Sequence, residues 1–306
     1  MTYLPYSTRR SHLSEFIQLR GLRHHLLRWG DASLITKARP MLVMLHGWMD
    51  VGASFQFVVD AMQQDRQVVA LDWRGFGLSE ASGSDSYWFP DYLGDLDALL
   101  DAVSPGAAVD LLGHSMGGNV VMTYGGVRPQ RVRRLINLEG FGLPESQPEQ
   151  APDRLTKWLD ELKQPQQLKP YASLAAVADR LMKTNPRLTR AKADWLAPHW
   201  SRPIDDATGT AWQILGDPAH KRSNPVLYRK AEILAGWVRI TAPTLWVEGD
   251  STNIGTIWGQ RYPRSDFDAR LAVVPDLVRA VLKDAGHMLH HDQAEALASQ
   301  LELFLD

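Results

Sequence analysis

The sequence predicts an α/β protein: a mostly parallel, doubly wound sheet interrupted once by an inserted helical lid. Three observations carry this. Short apolar runs alternate with amphipathic segments from Pro40 to Glu139, joined by short connections, as expected when helices cover both faces of a parallel sheet. The alternation stops at Leu143 and resumes only after Trp237. Finally, the apolar run Val109-Asp-Leu-Leu-Gly113-His114 ends abruptly at Ser115, with glycine two residues to either side.

In chain order, Ser14–Arg20 and Arg23–Trp29 read as two strands turned at Gly21, an antiparallel entry to the sheet. Period-two alternation places His24 and His25 on opposite faces of the second strand, which argues against a shared metal site. Pro40–Leu45 is continuously apolar, the signature of a central strand buried on both faces. Ala53–Met62 has helical spacing, Gln67–Asp72 is a strand, and Asp91–Val103 is a helix with Leu93, Leu96, Leu99 and Leu100 apolar. After the strand leading into Ser115 come a helix over Asn119–Tyr124 and a strand over Arg133–Glu139.

Residues 143–237 show only helical segments: Asp153–Leu162, Ser173–Met182, Pro186–Leu196 and Pro225–Trp237. The last two open on Asn185-Pro186 and Asn224-Pro225, where asparagine can cap and proline is preset for the first turn. The block is read as a lid inserted into a core formed by residues 1–142 and 238–306. Strands resume at Ala242–Glu248 and Leu277–Lys283, and a final helix over Gln293–Leu305 has Asp292 as its expected N-cap.

Composition narrows the class. The chain has 306 residues, 44% hydrophobic and 22% charged, with a formal net charge of −2. That balance gives no reason to expect a nucleic-acid or anionic-membrane partner. With no cysteine, disulfides, thiolate metal sites and a cysteine nucleophile are excluded together. The N-terminus has no apolar core of a signal peptide, and no apolar run is long enough to span a bilayer. The expectation is a cytoplasmic enzyme acting on a small molecule, monomeric or homodimeric, without cofactor or metal.

Gly113-x-Ser115-x-Gly117 between a strand and a helix is the pattern of a nucleophile elbow, in which a strained turn lifts the serine Oγ clear of the sheet. Side chains at Gly113 and Gly117 would collide with the neighbouring strand and helix. His46-Gly47-Trp48, Asp72-x-Arg74-Gly75-x-Gly77-x-Ser79 and Ala285-Gly286-His287 accompany it in order. Through these four motifs the chain resembles the α/β-hydrolase fold over nearly all its length apart from the lid. Through His46-Gly-Trp-Met-Asp50 and Ser54-Phe55 it is most similar to small bacterial hydrolases and serine hydrolase-like proteins.

The resemblance implies Ser115 as nucleophile and His287 as the base that takes its proton. The acid has two candidates. In most of the fold it lies three residues past the glycine ending strand seven; from Gly249 that position is Thr252, which cannot serve, and Asp250 is one residue past the glycine. The placement used by haloalkane dehalogenases, at the end of strand six about two dozen residues after the nucleophile, falls on Glu139. Glu139 is favoured and Asp250 is the alternative; either would orient the imidazole without taking the proton. The oxyanion hole falls to the backbone N–H groups of Trp48 and Met116. His46 and His114 are expected to support or pack, Arg74 to tie loops together, and His290 and His291 to hold no metal, since no zinc-ligand spacing accompanies them.

Dehalogenases and epoxide hydrolases of this fold use aspartate at the elbow, so a serine implies acyl chemistry. The expected activity is hydrolysis of a carboxylic ester, or similar acyl bond, of a small to medium apolar substrate. Trp158, Leu159, Leu181, Met182, Trp195, Trp200 and Trp212 are expected mostly to pack the lid on the core, some roofing the pocket. The alternatives are a hydrolase of carbon–carbon bonds in ring-fission products, and a binding protein or receptor that turns over slowly.

Overall fold

The computed structural model describes residues 4–206, 209–253, 255 and 259–306. Strands β1 (Leu13–Leu19) and β2 (Leu22–Trp29) form an antiparallel hairpin. Strands β3 (Leu42–Leu45), β4 (Val68–Leu71), β5 (Val109–His114) and β6 (Val132–Leu138) follow, and β9 (Thr244–Gly249) and β10 (Leu277–Leu282) complete one sheet. Its order is β1-β2-β4-β3-β5-β6-β9-β10, with every neighbour from β4 to β10 parallel. Every residue of β3, β4, β5 and β9 is buried, which is why these strands read as continuous apolar runs instead of alternating ones.

Helices divide between the two faces. On one, α1 (Gln56–Ala61) and the C-terminal helix Ala294–Leu305 pack Phe57, Val58, Leu297 and Leu301 against Leu42, Met44 and Leu112. On the other, α2 (Phe89–Val103) and α3 (Met116–Val127) pack Leu96, Leu99, Val120 and Val121 against Val43, Leu45 and Leu111. Burying each such side chain is worth about 1.5–3 kcal/mol before ordering costs. Asp292 does not cap the final helix: Gln293 stands at the cap, while the Asp292 carboxylate accepts from Gly286 N–H (2.8 Å) and Asn185 Nδ2 (2.7 Å). The aspartate was drawn off by longer-range donors.

Between β6 and β9 the chain leaves the large sheet for α4 (Ala151–Leu162), α5 (Leu174–Thr184), α6 (Arg190–Trp200) and α7 (Lys230–Trp237). This excursion departs from expectation twice. It holds a two-stranded antiparallel ribbon, β7 (Ser201–Asp206) with β8 (Gly209–Ile214), where only helices were expected. Nor do the Asn-Pro pairs start helices. Asn185 ends α5 and its side chain takes the Arg187 N–H, while Thr189 caps α6 through the Lys192 N–H. Asn224 turns the chain by taking the Val226 N–H, four residues before α7 begins. In both places the asparagine satisfied a local amide in a turn instead of a first helical turn.

Leu181 is buried, and Met182, Trp195, Trp200 and Trp212 pack on the core, whereas Leu159 is about half exposed. Trp158 Nε1 donates to Ser86 Oγ at 2.8 Å. Among the described residues, no helix is long and apolar enough to cross a membrane.

Candidate active site

The carboxyl ends of β3, β5 and β6 converge, as ligand-binding ends do in open α/β sheets. Strain concentrates there. Among the described residues five non-glycine residues have positive φ, and three follow these strands: Met49 (56°), Ser115 (52°) and Glu139 (54°). Such conformations cost on the order of 1–3 kcal/mol each and persist where surrounding structure imposes them.

At Ser115 the imposing contacts are visible. Its N–H donates to Leu138 O (2.8 Å), and α3 starts at the next residue. A Cβ at Gly113 would overlap the Gly117 carbonyl, and one at Gly117 would overlap Leu45 O at the end of β3. The expected crowding on helix and strand is therefore present. A Cβ on Gly47 would lie 3.1 Å from Ser115 Cβ, so the loop carrying Trp48 passes directly beside the serine. Met116 opens α3, where a helix leaves its N–H without an intrahelical partner.

His287 follows β10 and is half-buried. Its Nε2 lies 3.0 Å from Ser115 Oγ and its Nδ1 lies 2.8 Å from Glu139 Oε2. Glu139 is 1% exposed, and its other oxygen accepts the Gly249 N–H at 2.7 Å. The structure thus brings Ser115, His287 and Glu139 into one hydrogen-bonded chain. Asp250 stands outside it, at the surface, accepting from Ser251 Oγ (3.1 Å) with Lys283 Nζ 3.9 Å away.

Burial disfavours the charged form of both supporting histidines, pushing His46 and His114 down, His114 well below its ordinary value. His46 Nδ1 donates to Gly47 O (2.7 Å) while Nε2 accepts the Trp73 N–H (3.0 Å), joining the ends of β3 and β4. His114 Nε2 donates to the backbone carbonyl of His287 (2.8 Å). Arg74 is buried against α2, with its guanidinium on Asp95 (2.5 Å) and Asp91 (3.2 Å). Asp50 closes the segment His46-Gly-Trp-Met-Asp50, and nothing in that segment signals its role. Its Oδ1 accepts from Ser54 Oγ and from Trp200 Nε1 (2.9 Å), pinning the loop after β3 to α6.

A second serine–histidine–aspartate chain runs through Ser14 Oγ, His25 and Asp72, with both links 2.8 Å. Its setting differs. Ser14 lies in the β1–β2 ladder opposite Leu27, and no helix starts after it. Asp72 already accepts from Gly52 N (2.7 Å) and Leu78 N (2.9 Å), holding two loops. A cavity of about 300 Å³ near the start of β4, lined by residues including Trp29, Met62 and Arg66, includes neither serine.

The chain belongs to the α/β-hydrolase fold family, whose pattern it matches over residues 40–294. It is 28% identical to a serine hydrolase-like protein of Danio rerio over 184 residues, 58% of this chain and 54% of that one. The chain therefore matches only about half the length of that relative. It is 26% identical to a 3-hydroxybutyrate-oligomer hydrolase of Cupriavidus necator, covering 74% of this chain and 76% of the other. Among solved structures, the thioesterase domain from the curacin biosynthetic pathway superposes with a TM-score of 0.81 and 27% identity, covering 96% of this chain and 99% of that one.

Proposed function

We propose that the protein is a serine hydrolase that cleaves a carboxylic ester, or a similar acyl bond, through an acyl-enzyme. The observation that carries this reading is the chain Ser115 Oγ–His287 Nε2–His287 Nδ1–Glu139 Oε2, at 3.0 and 2.8 Å. These lengths put the base within reach of the hydroxyl proton and the carboxylate within reach of the base. Further support comes from two similar proteins, a 3-hydroxybutyrate-oligomer hydrolase and a thioesterase domain.

In this mechanism His287 Nε2 takes the Ser115 proton as Oγ bonds to the acyl carbon. The carbonyl π pair moves to oxygen, where the Trp48 and Met116 N–H groups receive it. Glu139 holds Nδ1–H and stabilises the imidazolium without taking its proton. Collapse expels the alcohol, which leaves with the proton from Nε2. Water, deprotonated by the same nitrogen, then attacks the acyl carbon; collapse breaks the acyl–Oγ bond and releases the carboxylic acid as Nε2 returns its proton to Ser115 Oγ. Residues 143–237 act as a cap over this end of the sheet, joined to the core through Trp200–Asp50 and Trp158–Ser86. The apolar side chains of this cap favour a small to medium apolar acyl group.

The test is hydrolysis of short p-nitrophenyl esters together with labelling by a fluorophosphonate. Turnover and a label on Ser115 are expected. Neither occurring would remove the esterase reading, and labelling without turnover would favour a slow receptor.

A further inference from the structure

Behind the nucleophile lies a second polar cluster that the proposed mechanism does not use. Asp50 (3% exposed) comes from the loop after β3, His114 (2%) ends β5, and His290 (0%) lies in the turn Leu289–Asp292 after His287. One ligand-type atom from each falls within 4.8 Å of the other two. Asp50 Oδ2, His114 Nδ1 and both His290 nitrogens are buried and without hydrogen-bond partners. Leaving such groups unsatisfied costs about 1–3 kcal/mol apiece.

The remaining polar atoms of Asp50 and His114 are held as those of metal ligands are. His114 Nε2 donates to the His287 carbonyl at 2.8 Å. A carbonyl can only accept, so the proton is on Nε2 and the buried, unpartnered Nδ1 is left with a lone pair. Asp50 Oδ1 is fixed by Ser54 Oγ and Trp200 Nε1, which leaves Oδ2 free. His290 packs against the Phe55 ring, with centroids 5.4 Å apart. Outer hydrogen bonds that fix tautomer and orientation are typical of metal-ligating side chains. An Asp50–His290 ion pair is a poorer account. At 3.7 Å it lies outside hydrogen-bond range, and it leaves His114 Nδ1 unexplained.

We propose that Asp50, His114 and His290 bind one divalent transition-metal ion of the zinc class. Two imidazole nitrogens and one carboxylate oxygen suit such an ion, and bonds of about 2.0–2.2 Å require the three atoms to draw together by roughly 1 Å. One ligand immediately precedes Ser115 and another is three residues beyond His287. The ion would therefore clamp the loops that carry nucleophile and base to the loop that carries Trp48. Its role is positioning and stability.

The experiment uses the full chain, stripped with chelator, incubated with zinc chloride and desalted. Metal content is measured by atomic emission and Tm by calorimetry, for wild type, Asp50→Asn and His290→Gln. Wild type should retain about one equivalent and melt several degrees higher when loaded, while both variants hold less than about 0.1 equivalent and show no shift. Should either variant fail to fold, Co²⁺ loading of wild type supplies the readout: intense visible d–d absorption for a low-symmetry nitrogen–oxygen site. Wild type that retains no zinc, shows no Tm shift and gives no Co²⁺ spectrum overturns the proposal. Zinc retained equally by folded variants also overturns it, by placing the ion elsewhere.

Discussion

The Gly249 N–H and the His287 ring divide the two oxygens of Glu139 between them, at 2.7 and 2.8 Å. The carboxylate thereby links the end of β6 to that of β9 while orienting the imidazole. Glu139→Gln must turn an NH₂ toward one of two donors, so it breaks one link whichever way it rotates. We expect kcat to fall by about 10⁴, the scale of an acid-to-amide change in a serine triad. Asp250→Asn should leave steady-state ester hydrolysis near wild type, because Asp250 contacts Ser251 and Lys283 at the surface. The reverse ranking would move the acid to β9.

Among the described residues two serines have a histidine within hydrogen-bond reach, and labelling discriminates between them. Ser115 has the strained backbone and the helix start; Ser14 has neither. Ser115→Ala should abolish fluorophosphonate labelling and lower kcat by up to about 10⁶. Ser14→Ala should change neither. Label recovered on Ser14 in a peptide digest would contradict the assignment.

Glycine substitutions should split by surroundings. At Gly117 an added methyl meets the backbone carbonyl of Leu45 in a central strand, which cannot move aside. Gly117→Ala should therefore cost about 3 kcal/mol or more by urea denaturation. At Gly236, in α7, nothing lies within 4 Å of an added Cβ. There alanine should stabilise by up to about 1 kcal/mol through helix propensity.

His220 supplies a pH dependence. It is stacked between Phe76 and Tyr87, and burial pushes its pKa down to about 4 from 6.5. A depressed histidine is neutral in the folded state while the unfolded chain still binds a proton. Its contribution is thus fully present above about 6.5 and is lost as pH falls toward 4, amounting to a few kcal/mol at about 1.4 per unit. His220→Phe keeps the stack and should flatten the acid limb of a stability–pH profile by up to one proton. An unchanged slope would mean that His220 is charged in the fold.

The central sheet was legible because parallel strands buried on both faces leave continuous apolar runs, as in Leu42–Leu45 and Val68–Leu71. The elbow was legible because crowding at Gly113 and Gly117 leaves a local signature. The ribbon β7–β8 was not. Ser201-Arg-Pro-Ile-Asp-Asp has neither alternation nor an apolar run, so its pairing is set by the partner strand. The cap positions Asn185, Asn224 and Asp292 failed for a related reason: a short polar side chain takes the nearest suitable amide, and the fold decides which one is near. The grouping of Asp50, His114 and His290 was hidden altogether, since the loop after β3, the end of β5 and the turn after His287 are distant in sequence and meet only after the sheet is assembled.

Because Glu139 directly follows β6, Ser115 and Glu139 are both laid down before the excursion begins, and His287 comes after it ends. Had the acid been at Asp250, it would sit on the return from that excursion, and any change in the inserted length would bear on its placement. With Glu139 as the acid, the intervening segment is open to grafting. Shuffling it between relatives, with the Trp200 contact to Asp50 and the Asn185 contact to Asp292 beside His287 both retained, should exchange substrate preference while the proton-transfer machinery stays as it was.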